Sequence, residues 1–139
     1  MKRIVVIDGQ GGGIGRQLVA RLREALPDAA IVAVGANCSA TNAMLKAGAS
    51  SGATGENAVV VACRRADVIA GPVGIVIADA LGGEITPTMA VAVAQSPARR
   101  VLLPFNHCEN LIVGVADYNV ARLVQSAVDE IVGILSAES

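Results

Sequence analysis

Ile4-Val5-Val6-Ile7-Asp8-Gly9-Gln10-Gly11-Gly12-Gly13-Ile14-Gly15 decides how this chain folds. Four consecutive β-branched apolar residues predict a short strand buried on both faces. Five glycines within residues 9–15 follow at once. Ile14, Leu18, Val19, Leu22 and Leu26 then recur at helical spacing and stop at Pro27. A strand that turns tightly into a helix points the free N–H groups of the helix start at whatever occupies the turn. Residues without a Cβ let the backbone approach that occupant closely. Strand, glycine turn and helix together are how α/β proteins cradle phosphate.

Outward from this stretch the alternation continues. Further strands are expected at 30–35, 67–71 and 100–105, after the first at 3–8. A fifth is expected at 111–115, antiparallel to the fourth because the link is short. Helices are expected at 14–26, at 39–47 with Ser39 as cap, at 56–65 with Thr54 as cap, and at 119–135. Thr86-Pro87 opens another that reaches about Gln95. Residues 50–55 read as a loop. Within 72–83, Ile75-Val76-Ile77 suits a strand and Ala78-Asp79-Ala80-Leu81 a helix; the turn-like Gly71-Pro72-Val73-Gly74 favours the helix. The expected fold class is α/β: a three-layer Rossmann-like sandwich, one domain over 1–139, with a mostly parallel sheet of about five strands and helices on both faces. Right-handed crossovers gather the loops at 8–15, 35–39, 71–74 and 106–110 at one sheet edge, where ligands bind.

Composition fits this architecture. Of 139 residues, 53% are hydrophobic, yet Phe105 and Tyr118 are the only aromatics, so Val, Ile, Leu and Ala build the core. That apolar excess predicts a homodimer or higher homo-oligomer that buries a helix face. A net charge of −1, with no basic tail and no aromatic platform, argues against nucleic acid. Lys2-Arg3, Arg64-Arg65 and Arg99-Arg100 each precede or open an expected strand, where helix C-termini favour cations. The apolar run at the start is too short for a signal peptide, and the apolar window 68–81 is too short to span a bilayer. A cytoplasmic protein with reduced Cys38, Cys63 and Cys108 and no membrane partner is expected.

Geometry nominates the site. Asp8, Gly9, Gln10, Gly11, Gly12, Gly13, Ile14 and Gly15 form the expected ligand cradle. Asn37 would hold a ribose or base, with Gly71, Pro72, Gly74, Asn106 and His107 as the facing wall. The spacing of Gly9, Gly13, Ile14 and Gly15 resembles the cofactor loop of short-chain dehydrogenases, with Asp8 where they commonly carry Thr. Two departures weigh against hydride transfer in that style. The second strand ends at the uncharged Asn37 rather than an acid that grips ribose in NAD binders. Their Tyr-x-x-x-Lys proton donor is here Tyr118-Asn119-Val120-Ala121-Arg122, and arginine does not relay a proton. Tyr118 is expected to pack.

Other polar clusters carry weaker signals. Ser51-Gly52-Ala53-Thr54-Gly55-Glu56-Asn57 is a second glycine-rich helix start, either a phosphate or base contact or an ordinary capped helix. His107 is the only histidine and is an acid/base candidate for that reason. Its neighbour Cys108 lacks the spacing of a metal site, and no metal is expected. Cys38 precedes a helix start but has no fixed catalytic partner. Asp79 and Glu84, on either side of Gly82-Gly83, read as a solvated turn.

Nearly the whole pattern resembles a family of short bacterial proteins of unknown function. The resemblance runs through residues 3–15, Ala43-Met44-Leu45-Lys46-Ala47-Gly48-Ala49, residues 52–58, Gly71-Pro72-Val73-Gly74 and Gly83-Glu84-Ile85-Thr86-Pro87. It implies a Rossmann-like domain and a bacterial origin, and brings no activity. A fainter similarity, to tubulin-like GTPases of bacterial division, rests on the glycine-rich first loop and the Asn after the second strand. Their later phosphate loop is replaced here by Gly71-Pro72-Val73-Gly74-Ile75-Val76, which argues against GTP hydrolysis.

Three functions are therefore in view. The first is binding of a nucleotide or dinucleotide, NAD(P) among them, or of another phosphorylated small molecule, by the glycine loop. The second is a small enzyme on a phosphorylated metabolite, with Asp8, Glu56 and His107 as acid/base candidates. The third is an assembly protein with no ligand.

Overall fold

In the computed structural model, which describes residues 2–137, strands and helices alternate. The order is β1 (Arg3–Asp8), α1 (Gly13–Ala25), β2 (Ala30–Gly35), α2 (Cys38–Lys46), β3 (Ser51–Thr54), α3 (Glu56–Arg65), β4 (Val68–Pro72), a 3-10 turn (Val73–Val76), α4 (Pro87–Gln95), β5 (Arg99–Leu103) and α5 (Val120–Ala137). The sheet order is β3-β2-β1-β4-β5. All four pairings are parallel, and in the central register Val5 stands between Val32 and Ile69.

Period-two alternation along β1 divides the core between the two faces. Ile4 and Val6 pack with Leu18, Val19 and Leu22 of α1, Met44 of α2, and Val124, Val128 and Ile131 of α5. Val5 and Ile7 pack with Val59 and Cys63 of α3 and with Met89, Ala90 and Val93 of α4. This is the expected three-layer α/β sandwich. Full burial of each large aliphatic side chain contributes about 1.5–3 kcal/mol. From β1 the chain winds outward through β2 to β3, then returns to β4 on the other side of β1. Strand order thus reverses between β1 and β4, and their carboxyl ends flank a crevice.

Several expected elements differ. The sheet has five strands, but the fifth is not 111–115, which has no regular structure. The additional strand is β3, expected to be a loop. Its Ser-Gly-Ala-Thr side chains are all exposed, so an edge pairing with β2 forms without any apolar pattern. Leu111-Ile112-Val113 has strand composition but no neighbouring strand, and Gly114 breaks it at φ 94°. Residues 72–83 are not a helix. Pro72 still pairs with Leu103, the 3-10 turn follows, and Asp79, Leu81, Gly82 and Gly83 take positive φ values that no right-handed helix accepts.

Caps shift too. Asn37, not Ser39, caps α2 through its Oδ1, which accepts the Ala40 N–H at 2.9 Å. Gly55, not Thr54, caps α3, and Thr54 hydrogen-bonds Thr41 between hydroxyls at 2.7 Å. Thr86 caps α4 as expected, accepting the Met89 N–H at 3.1 Å.

Candidate functional site

The β1–α1 turn is organised by a buried carboxylate. Asp8 is 2% exposed. Its Oδ1 accepts the Gly9 N–H at 2.8 Å and its Oδ2 the Gly15 N–H at 2.7 Å. Burial pushes the Asp8 carboxyl above its ordinary range, and the Glu84 charge adds to the rise; the N–H groups of Gly15, Gly9 and Ile14 oppose it. The turn closes through the Gly12 N–H on the Gly9 carbonyl at 2.9 Å. Gly12, at φ 72°, is the cap of α1, and a Cβ there would lie 2.9 Å from the Ala40 Cα. Left-handed backbone and close approach both require glycine at this position.

A second carboxylate reaches the turn from far along the chain. Glu84 Oε1 accepts the Gln10 N–H at 2.6 Å, and Oε2 accepts from Asn37 Nδ2 at 2.8 Å. Asn37 Nδ2 also donates to the Gln10 carbonyl at 2.9 Å. The Asn37 side chain, expected to hold ribose or base, is thus committed within the protein at both ends. Glu84 is the residue that sequence reading missed: instead of a solvated turn it supplies a carboxylate beside the end of β2. Its separation of 74 residues from Gln10 leaves no spacing signal.

Among the described residues, the N–H groups of Gly11 and Gly13 have no partner within the protein. A Cβ at either position would meet nothing within 4 Å. Both line a cavity of about 330 Å³ with Asp8, Gly9, Gln10, Gly12, Ile14, Gln17, Phe105, Asn106 and Val120. Asp8 is the one charged lining residue. Asn106 follows β5 and lines the cavity opposite the loop. Gly15 lies beneath, where a Cβ would crowd Met44 Sδ at 2.6 Å. Gly71, Pro72 and Gly74 are buried and do not line this cavity; Gly71 packs on the Ile7 carbonyl, and Gly74 on Asn106 and Leu81.

The acid/base candidates are not assembled here. Glu56 Oε2 accepts the Thr86 hydroxyl at 2.6 Å and so ties α3 to α4. His107 lies in a ring cluster, its centroid 6.1 Å from that of Tyr118, which stands edge-on to Phe105 at 6.1 Å. His107 Nδ1 is buried with no partner among the described residues. Neither Glu56 nor His107 lines the cavity that holds Asp8. Tyr118 packs, and Arg122 pairs with Asp117 at 2.7 Å. Cys38 and Cys108 are exposed free thiols, whereas burial pushes the Cys63 thiol up to about 11.

A larger cavity of about 530 Å³ lies between β5, residues 112–117 and α5, and another of about 340 Å³ between α3 and α4. Neither includes a glycine-loop residue; position at the carboxyl end of β1, not size, distinguishes the loop cavity. No group of three or more His, Cys, Asp or Glu able to hold a metal occurs among the described residues. None of their helices is long and apolar enough to cross a membrane.

Among curated proteins none matches the chain. A crystal structure of a dodecameric FMN-dependent Ubix-like decarboxylase from Escherichia coli O157:H7 is similar, with 19% identity over 94% of each chain and a TM-score of 0.49. The family model described as "Domain of unknown function (DUF3842)" matches residues 3–136, and the chain belongs to that family.

Proposed function

We propose that the chain binds a nucleotide, or another phosphorylated small molecule, at the β1–α1 glycine loop. One observation carries this reading: the unpartnered N–H groups of Gly11 and Gly13 sit on a cavity wall at the start of α1. Backbone donors and the positive end of a helix favour an anion there without a basic side chain. The volume suits a small ligand or part of a larger one.

Thermal-shift titration with ADP, ATP, GTP, NAD and NADP tests it. At least one nucleotide is expected to raise Tm, with about 2.7 kcal/mol of stabilisation at a hundredfold excess over Kd. Gly13→Val, built into open space, is expected to keep stability within about 0.5 kcal/mol and to lose the shift. No shift with any of the five, or an equal shift in the variant, overturns the nucleotide reading.

We further propose that copies of the chain associate. Leu111 is 84% exposed and Val113 91% exposed, an apolar surface that supports association. Sedimentation equilibrium is expected to give a multiple of the 14.0 kDa chain mass; a monomer at all concentrations contradicts it.

A further inference from the structure

The crevice between the carboxyl ends of β1 and β4 is where open α/β sheets take their ligands. In this protein the chain itself fills it. Leu81, 5% exposed, reaches both walls. A Cβ on Gly9, just past β1, would come within 2.7 Å of Leu81 Cδ2, and a Cβ on Gly74, just past β4, within 2.7 Å of Leu81 Cδ1. From the same turn, Glu84 holds the Gln10 N–H and the Asn37 amide. A leucine methyl group and a carboxylate thus occupy the places open to the body and the anionic group of a ligand.

The segment that brings them is a self-closed unit. The Asp79 N–H donates to the Ile85 carbonyl at 2.7 Å, and the Ile85 N–H donates to the Ala80 carbonyl at 3.1 Å. The Gly83 N–H donates to the Asp79 carbonyl at 3.1 Å. These bonds tie the segment to itself and none is a strand pairing, while Ala80 and Ile85 root it in the core with Ile75, Met89 and Val93, so the stretch between them is the part that can leave the crevice without opening a strand. Its backbone is also unfavourable, with Asp79 at φ 69° and Leu81 at φ 56°. A bulky residue persists in left-handed conformation only where surroundings hold it, and such residues cluster at switch regions.

We propose that residues 81–84, rooted at Ala80 and Ile85, form an autoinhibitory strap, in which Glu84 competes with a ligand's anionic group for the Gln10 N–H and Leu81 blocks the crevice between β1 and β4. The inference rests on the glycine-loop reading and deepens it. With the strap in place, the cavity on the α1–α5 side is open to a phosphate group. Displacement of the strap joins that cavity to the crevice and makes room for a whole nucleotide.

The test uses the full chain, ADP as probe, and the variants Glu84→Ala and Leu81→Ala. A site whose competent state is a minor fraction binds more weakly by that fraction, so each variant is expected to bind ADP about tenfold or more tightly than wild type. In wild type, amide hydrogen exchange of peptides within 77–86 is expected to be faster than in β4, and faster again with ADP bound. Glu84→Ala keeps the test informative if Leu81→Ala fails to fold, because Glu84 is only half-buried. Equal ADP affinity in wild type and both variants overturns the strap and leaves the glycine-loop reading standing. Exchange in 77–86 as slow as in β4, with or without ADP, also overturns the strap alone. No ADP binding by wild type or variants overturns the ADP form of the reading, and the strap with it.

Discussion

Helices α1 and α3 both start at a glycine of positive φ just beyond a parallel strand, at the same edge of the sheet. At α1, Gly12 is wedged against the Ala40 backbone, Asp8 is buried beneath the turn, and two N–H groups remain unpartnered beside a cavity. At α3, Gly55 faces open space, β3 before it is wholly exposed, and Glu56 in the first turn complements the helix dipole. The same local sequence device therefore sits in two different surroundings. What separates them is tertiary: a buried carboxylate, a facing wall after β5, and a strap that crosses the loop. A helix start becomes a candidate site when the fold leaves its donors unsatisfied beside a concavity.

The largest expected effects come from the glycines themselves. Gly12→Ala adds left-handed strain to a backbone contact at 2.9 Å and is expected to cost about 2–4 kcal/mol in urea unfolding. Gly55→Ala meets strain alone, at φ 101°, and is expected to cost about 1–3 kcal/mol. A Gly55 variant that loses more than the Gly12 variant breaks the comparison.

A smaller effect is expected at Glu56. Glu56→Gln weakens one exposed bond to the Thr86 hydroxyl and is expected to cost about 0.5–1.5 kcal/mol at most, with nucleotide binding unchanged. A large loss of binding in that variant would move the site to α3.

Asp8 sharpens the contrast through pH. Its folded pKa is raised above the ordinary 3.8, so the native state holds a proton that the unfolded chain releases first. Its contribution to stability is full below 3.8 and is lost as pH rises through the raised folded value. Wild type is expected to show this loss in urea unfolding at a series of pH values, and Asp8→Asn to lack that component. Nucleotide affinity is expected to weaken over the same interval in wild type only. Parallel pH profiles in the two proteins contradict the account of Asp8.

The smallest effect concerns reactivity. Cys38 and Cys108 are expected to react with a thiol reagent in the native state and Cys63 to react only on unfolding, since it is buried with a thiol pKa near 11. Three fast thiols in the native protein would show that the α3–α4 face is open.

Much of the fold was legible because it is written in apolar runs. Residues 3–8 and 30–35 match the observed strands, and the helix opened by Thr86-Pro87 ends at Gln95 as expected. β3 was illegible because an exposed edge strand of Ser, Gly, Ala and Thr needs only backbone bonds from β2. Leu111-Ile112-Val113 misled because strand composition means nothing without a partner strand. The tight turn from Asp8 to Gly15 was legible as a local pattern. The roles of Asn37 and Glu84 were not, because their bond joins side chains 47 residues apart. Asn37 stands where a ribose-binding acid is expected, and the carboxylate beside it arrives from the strap.

Native mass spectrometry of the freshly purified protein, beside Gly13→Val and followed by calorimetric titration with the five nucleotides, tests the central claim most directly. The account predicts a co-purified or titratable nucleotide on wild type that is lost from Gly13→Val, with both proteins folded. A bare polypeptide mass together with no heat of binding from any of the five would contradict it.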